Sequence, residues 1–352
     1  METPKEKELQ KIIIHLTKEN ISLKEKLDKG NVDFCEFLES WLEKHKLKIR
    51  SDTYCGYCIH IHGNVIPYFK PLGLKLNDLL PSHFNDYFEY KLSCGYKEQT
   101  IKHHYSTVRC ALNCAVKDGL INSNPILLSD KPKVKRYNYE VLSFEELNLL
   151  FESLSDNFIY IPIILTSLLG LRRSEVVALK WNSVNFNNHS LKIESTYVES
   201  YCSHEQTIYK CYLNKTKSES SNREYIMPKK LEQVLLNHRH NQFRNARLNK
   251  NYNPDYFDYV CTMQNGDLIF PNSLSRQFKK IIKRLFPQKH IRFHDLRHSC
   301  GTFLHEKFNY DIKDIQSYLG HSNAAFTANT YIHTTTERKA VICNSINEKL
   351  TL

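Results

Sequence analysis

Glycine is scarce in this chain, 10 of 352 residues. Neither G-x-G-x-x-G nor G-x-x-x-x-G-K-[ST] occurs, which argues against an architecture built on glycine-rich phosphate loops. No apolar run reaches the length of about 18 residues that a membrane span needs, so none is expected. The opening METPKEKELQKIIIHL has too short an apolar stretch, and acids where a signal peptide carries bases. A disulfide framework is not expected either. The 11 cysteines are odd in number and scattered, and read as reduced thiols of a cytoplasmic protein. With 41% hydrophobic and 25% charged residues the composition is that of a globular protein, not of a disordered chain.

What the chain has in excess is positive charge. Lys and Arg number 49 against 38 Asp and Glu, a formal +11. That balance favours a polyanionic partner, through phosphate contact and counterion release. At roughly 150 residues per domain, the length suggests about two domains.

Residues 1–32 read as a heptad-like helix. Leu9, Ile13, Leu16, Asn20, Leu23 and Leu27 alternate steps of four and three. This is either a short coiled coil whose Asn20 sets the register, or one amphipathic helix packed on its own protein. Residues 33–128 read as a helical domain. Phe34, Phe37, Leu38 and Trp41 make one stripe, and helices follow over about Ser51–Tyr68, Pro81–Leu92 and Gln99–Asp118. The last of these carries Lys102 and Arg109, which are candidates for DNA contact. Residues 129–140, SDKPKVKRYNYE, have no apolar period and four bases, Lys133 and Lys135 among them, and read as a basic linker.

Ser143-Phe144-Glu145-Glu146 is a capping box that opens a second domain, 141–345, with 346–352 as a tail. Strand character lies in Ser190–Tyr201, Thr207–Leu213 and Arg223–Pro228; Asn265-Gly266 reads as a turn, and helices resume at about Ser273. The expected class is therefore mainly α with a small antiparallel β-sheet. Arg276 and Lys280, on the helix Ser273–Phe286, are candidates for phosphate contact. The run Cys55-Gly56-Tyr57-Cys58-Ile59-His60-Ile61-His62 looks metal-like. On a helix, however, its cysteines share a face that His60 and His62 do not, so we expect buried thiols and no metal.

Four segments of the second domain carry residues with chemistry. Leu169-Gly170-Leu171-Arg172-Arg173-Ser174-Glu175 places an arginine where one helix ends and the next begins. Lys215-Thr216-Lys217-Ser218-Glu219-Ser220-Ser221-Asn222-Arg223 lies between two expected strands. His294-Asp295-Leu296-Arg297-His298 sets a histidine and an arginine three apart, on one face if the segment is helical. Leu319-Gly320-His321-Ser322 is followed, ten residues past His321, by Tyr331 within Asn329-Thr330-Tyr331-Ile332-His333. Taken singly each has a bland reading as turn, surface or core.

In this order and spacing the four resemble the tyrosine recombinases, the lambda-integrase family of site-specific DNA recombinases, most closely its phage and conjugative-transposon integrases. The resemblance covers about 141–345 and extends more loosely to the helical domain, which is similar to the family's core-binding module. It implies a C-shaped clamp of the two domains around duplex DNA. It also implies a covalent 3′-phosphotyrosyl intermediate on Tyr331, two phosphate-binding arginines, Arg172 and Arg297, and two histidines, His294 and His321. Lys217 matches the general acid, with Lys215 as an alternative in register. No cofactor is implied. The implied partners are double-stranded attachment sites, a homo-tetramer in the synaptic complex and an excision factor or other accessory protein. A non-catalytic DNA-binding regulator of the same fold and a chromosome-dimer resolvase remain as alternatives. The small N-terminal β-domain of many integrases is not matched, since residues 1–30 read as helical.

Overall fold

The computed structural model describes residues 31–134, 139–155, 157–202, 207–215, 223–306 and 310–320, together with Ile13 and Thr17. Lys135, Lys217, His321 and Tyr331 lie outside the described residues, as do the tail from Glu337 and the heptad seam except Ile13. The chain divides into two compact units, Met1–Tyr137 and Asn138–Leu352, the second excluding the hairpin segment Ser200–Tyr209. Among the described residues no helix is long and apolar enough to cross a membrane.

The first unit is helical. Helix α1, Phe34–Lys46, begins where the Asp33 carboxylate accepts the N–H groups of Cys35 and Glu36, an N-cap that satisfies two otherwise orphaned donors. Its Phe34, Leu38, Trp41 and Leu42 are buried at the spacing of a single face. Helix α2, Ser51–His60, runs on through a π-helical segment, Ile61–Val65, and a last turn, Ile66–Phe69. Cys55 and Cys58 are buried thiols there, and His60 Nδ1 meets the Thr107 hydroxyl at 2.8 Å. Helices α3, Pro81–Ser93, and α4, Glu98–Lys117, complete an aromatic core in which Phe34 stands edge-on to Phe69 at 5.1 Å.

A polar pair is buried in this unit. The His104 ring is fully buried, takes a 2.9 Å hydrogen bond with the Tyr87 hydroxyl through Nδ1, and lies 5.3 Å from the His60 ring. Burial pushes both rings down to about 4, assisted at His60 by His103, and at His104 by His60 and then Lys91 and His103. Both are thus neutral in the fold, whereas an unfolded histidine titrates near 6.5. The unfolded chain takes up the extra protons, so the stability these rings allow is complete above about pH 6.5 and is lost as pH falls toward 4. For fully buried His104 the limit is about 3 kcal/mol, at 1.36 kcal/mol per pH unit. Thermal melts from pH 7 to pH 4.5 should show a steep fall in the first unit, and His104→Gln should make that fall shallower.

The second unit is built around α6, Tyr160–Leu169, which is buried on nearly every side. Helix α5, Phe144–Glu152, precedes it and carries the full capping box, Ser143 with Glu146. Helix α7, Arg173–Ala178, leads into a three-stranded antiparallel sheet of order β1-β2-β5: β1 is Val184–Asn185, β2 Ser190–Ile193 and β5 Arg223–Ile226. Leu191 pairs with Tyr225 and Ile193 with Arg223, which fixes the register of β5 at the sheet edge. Strands β3, Ser195–Cys202, and β4, Thr207–Lys215, form a separate two-stranded ribbon.

Helices resume earlier than expected from the sequence. Helix α8 spans Lys229–Leu248, where no helix was expected before Ser273. It buries little beyond Leu231, Leu235 and Gln242, so its apolar period is faint. The Gln242 amide holds it down, accepting from Trp181 Nε1 at 2.8 Å and donating to the Thr262 hydroxyl at 2.7 Å. Asn265-Gly266 does form a turn, but it joins a single antiparallel bridge, Thr262 with Leu268, not two strands. Helices α9, Pro271–Leu285, α10, Asp295–Glu306, and α11, Ile312–Leu319, close the unit, with α10 packed against α6. The fold is mainly α with a small antiparallel sheet.

Candidate active site

The site is assembled at the C-terminal ends of two helices. Helix α6 ends on Gly170 and α11 on Gly320, both in the left-handed conformation at φ 63° and 65°. A side chain at Gly170 would meet a second obstacle, since its Cβ would overlap Leu319 Cδ2. The two helix ends are therefore in close contact, and their last carbonyls, which have no partner within their own helices, converge.

Arg297 fills that convergence. It is only 1% exposed, and its Nη1 and Nη2 donate to the carbonyls of Gly170 and Leu319, the latter at 2.6 Å. A cation suits the negative end of a helix dipole, and here it serves two. Burial, then the charge of Arg172, lowers its pKa to about 10, which leaves it charged at neutral pH. Arg172 caps the start of α7, and its Nη2 donates to the Gly320 carbonyl at 2.6 Å. The two guanidiniums thus sit on consecutive carbonyls of one turn. Each terminal nitrogen engaged there has a second N–H.

Arg172 is also held from behind. Glu175, 1% exposed, accepts from the Arg172 backbone N–H and from Nη1, both at 2.7 Å. The same carboxylate accepts from Nη2 and Nη1 of Arg223 at 2.9 and 3.3 Å. Burial alone would raise the Glu175 pKa, but Arg223 and then Arg172 outweigh it and hold the group at about 2. Three guanidiniums against one buried carboxylate leave the site cationic, as an anionic ligand requires. The sequence assigned no role to Glu175 or Arg223. The only local signal was Glu175 three residues after Arg172, at the N3 position of a helix start.

His294 is not on a helix with Arg297, because α10 begins at Asp295. It stands just before the helix, and its carbonyl accepts the Arg297 N–H at 3.1 Å. The residue is exposed by surface area, although protein atoms stand close around its ring. The resulting desolvation, then His298 and Arg297, pushes it down to about 4, so it is neutral at pH 7 and can accept a proton or a hydrogen bond. The rings of His294 and His298 stand edge-to-face at 5.1 Å, and His298 stacks on Tyr139 at 4.6 Å.

The candidate DNA contacts are dispersed. Arg276 and Lys280 are exposed on α9, together with Lys279, Lys283 and Arg284, while Leu274, Phe278, Ile281 and Ile282 are buried beneath. Arg109 and Lys133 are exposed and Lys102 is half-buried. His238 Nε2 meets the Val260 carbonyl at 2.7 Å.

Comparison with known proteins gives consistent matches. The Phage integrase family matches residues 140–338, and the Phage integrase, N-terminal SAM-like domain matches residues 33–92. A tyrosine recombinase XerC-like protein of Caldanaerobacter subterraneus subsp. tengcongensis is 27% identical over 336 residues, covering 90% of this chain and 85% of its own. The transposase from transposon Tn916 of Enterococcus faecalis is 23% identical over 298 residues, 79% of this chain and 69% of that protein. Among solved structures, the Tn1549 transposon integrase in complex with transposon right end DNA superposes with a TM-score of 0.73 at 18% identity, covering 90% of this chain and 100% of that one. A lambda integrase tetramer bound to a Holliday junction superposes with a TM-score of 0.63 at 15% identity, covering 86% of this chain and 78% of that one.

Proposed function

The chain belongs to the phage integrase family and is a tyrosine-type site-specific DNA recombinase; from that premise we propose how its residues divide the work. The Tyr331 hydroxyl attacks the scissile phosphorus. A phosphotyrosyl bond to the 3′ side forms, the bond to the 5′-oxygen breaks, and the ester stores the energy of the cut strand. The tyrosine proton passes to a neutral imidazole, for which His294 is the candidate. The departing 5′-oxygen receives a proton from Lys217. Attack by a 5′-hydroxyl of another strand reverses these steps and reseals the backbone without ATP. Arg172 and Arg297 bind the non-bridging oxygens, where negative charge grows in the transition state, and His321 donates beside them.

One observation carries this reading. Arg172 and Arg297, 125 positions apart in the chain by their numbers, reach adjacent carbonyls, Gly320 and Leu319, directly before His321. Supporting it, His294 stands directly before α10, the helix that carries Arg297, and desolvation lowers its pKa. The basic face of α9, with Arg276 and Lys280, and the basic residues Lys102, Arg109, Lys133 and Lys135 are proposed to bind DNA phosphates. The units 33–128 and 141–345 are proposed to clamp the duplex, and four protomers to act together on two duplexes in the cytoplasm. Transposon relatives favour integration or excision of a mobile element over chromosome-dimer resolution.

A suicide substrate, nicked so that the cleaved strand cannot be resealed, tests the nucleophile. The wild-type protein should accumulate a covalent DNA adduct. Tyr331→Phe should abolish it, a loss of at least ~10^4-fold in rate, while binding the same DNA. An adduct that persists in Tyr331→Phe overturns the assignment.

A further inference from the structure

Arg223 begins β5, directly after the segment that contains Lys217. Its side chain is buried, and each of its three nitrogens is engaged. Two nitrogens donate to Glu175, at 2.9 and 3.3 Å, and Nε donates to the Tyr225 hydroxyl at 2.8 Å. That hydroxyl donates in turn to the Tyr318 carbonyl at 2.7 Å, in the last turn of α11. Arg223 therefore stands behind both supports of the phosphate-binding arginines. Through Glu175 it reaches Arg172. Through Tyr225 it reaches the turn whose next two carbonyls hold Arg297 and Arg172.

A structural reading alone explains this arrangement poorly. Burying three charges is costly, and well-packed apolar residues stabilise a core equally well. What an apolar replacement cannot supply is a fixed angle between two guanidiniums that lie on different helices. The strand gives that angle a rigid base, because the β2–β5 ladder fixes Arg223 opposite Ile193. The Glu175 carboxylate, shared between two forks, then has little freedom to rotate.

We propose that Arg223, with Tyr225, is a positioning residue for strand cleavage: it sets the spacing of Arg172 and Arg297 without touching the phosphate. This rests on the reading that those two arginines bind the scissile phosphate.

Single-turnover cleavage of a suicide substrate at saturating DNA tests the proposal. Tyr225→Phe removes both relay bonds of its hydroxyl, from Arg223 Nε and to the Tyr318 carbonyl, and should slow cleavage roughly 10-fold; Arg223→Met should slow it about 100-fold or more. DNA affinity should stay within about threefold, since phosphate contacts elsewhere set it. The decisive readout is coupling. If Arg223 acts through Arg172, Arg223→Met adds no further loss to Arg172→Lys, whereas an unrelated structural defect multiplies it. Cleavage within about twofold of wild type in either folded variant, or additive losses in the double variant, overturns the positioning role. Should Arg223→Met fail to fold, Tyr225→Phe decides alone. Tyr331→Phe is run alongside: if it is inert while the Arg223 and Tyr225 variants cleave normally, only the positioning role fails. If it still cleaves, the reading of the site itself fails.

Discussion

Replacing Glu175 by glutamine is expected to destabilise the catalytic unit by about 3–5 kcal/mol, the range for removing one partner of a buried ion pair. The carboxylate is 1% exposed and is shared by Arg172 and Arg223. Without its charge, two guanidiniums remain close together with one neutral amide between them. At roughly 2–4 °C per kcal/mol for a unit of this size, the melting temperature should fall by about 10 °C. The effect has a pH signature. Because the folded pKa is depressed from 4.5 to about 2, the wild-type contribution is complete above about pH 4.5 and vanishes as pH falls toward 2. The two proteins should therefore converge in stability at acid pH and separate above it. A gap that is unchanged between pH 3 and pH 6 would show that Glu175 acts by shape and not by charge. Cleavage should fall as well, because Arg172 loses the partner that fixes both its backbone N–H and its Nη1.

The parts of this site differ in how far the sequence shows them. The order of the motifs is legible because each lies at a local boundary, such as a glycine that ends a helix or an acid that caps one. Helix α9 is equally plain, with Leu274, Phe278, Ile281 and Ile282 on one side and cations on the other. Helix α8 is hidden for the opposite reason. A helix that is polar on most of its surface, and anchored by the amide of Gln242, has no strong period to read. Arg297 looked like one half of an exposed pair. It is buried because its acceptors are carbonyls at the ends of two other helices, and no local pattern records that. Glu175 and Arg223 are 48 residues apart, and their pairing exists only once β5 is placed in the sheet. In the sequence the π-helical segment, Ile61–Val65, is indistinguishable from ordinary helix. Its Asn64 amide, donating to the Ile59 carbonyl at 3.0 Å and accepting from Lys91 at 3.2 Å, depends on contacts outside the segment.

The same dependence on distant contacts makes Gly170→Ala the second severe change, though it adds a single methyl group. The residue sits at φ +63°, where an L side chain costs roughly 1–2 kcal/mol. The new Cβ also overlaps Leu319 Cδ2, and overpacking adds about 1–3 kcal/mol. Together these predict a loss of roughly 2–5 kcal/mol. The functional loss should exceed what stability explains. Gly170 and Leu319 are the two residues whose carbonyls hold Arg297, so forcing their helices apart pulls its two acceptors in different directions. A displacement near 1 Å at a reacting centre can lower a rate by about 100-fold. The two costs separate in a double variant. Leu319→Ala removes the overlapping atom but leaves the strained φ, so adding it to Gly170→Ala should restore cleavage by about 10-fold or more while recovering only part of the stability. If Leu319→Ala restores neither, the helix ends are not in the contact described. If Gly170→Ala alone cleaves at the wild-type rate, the position of Arg297 is not set by the end of α6.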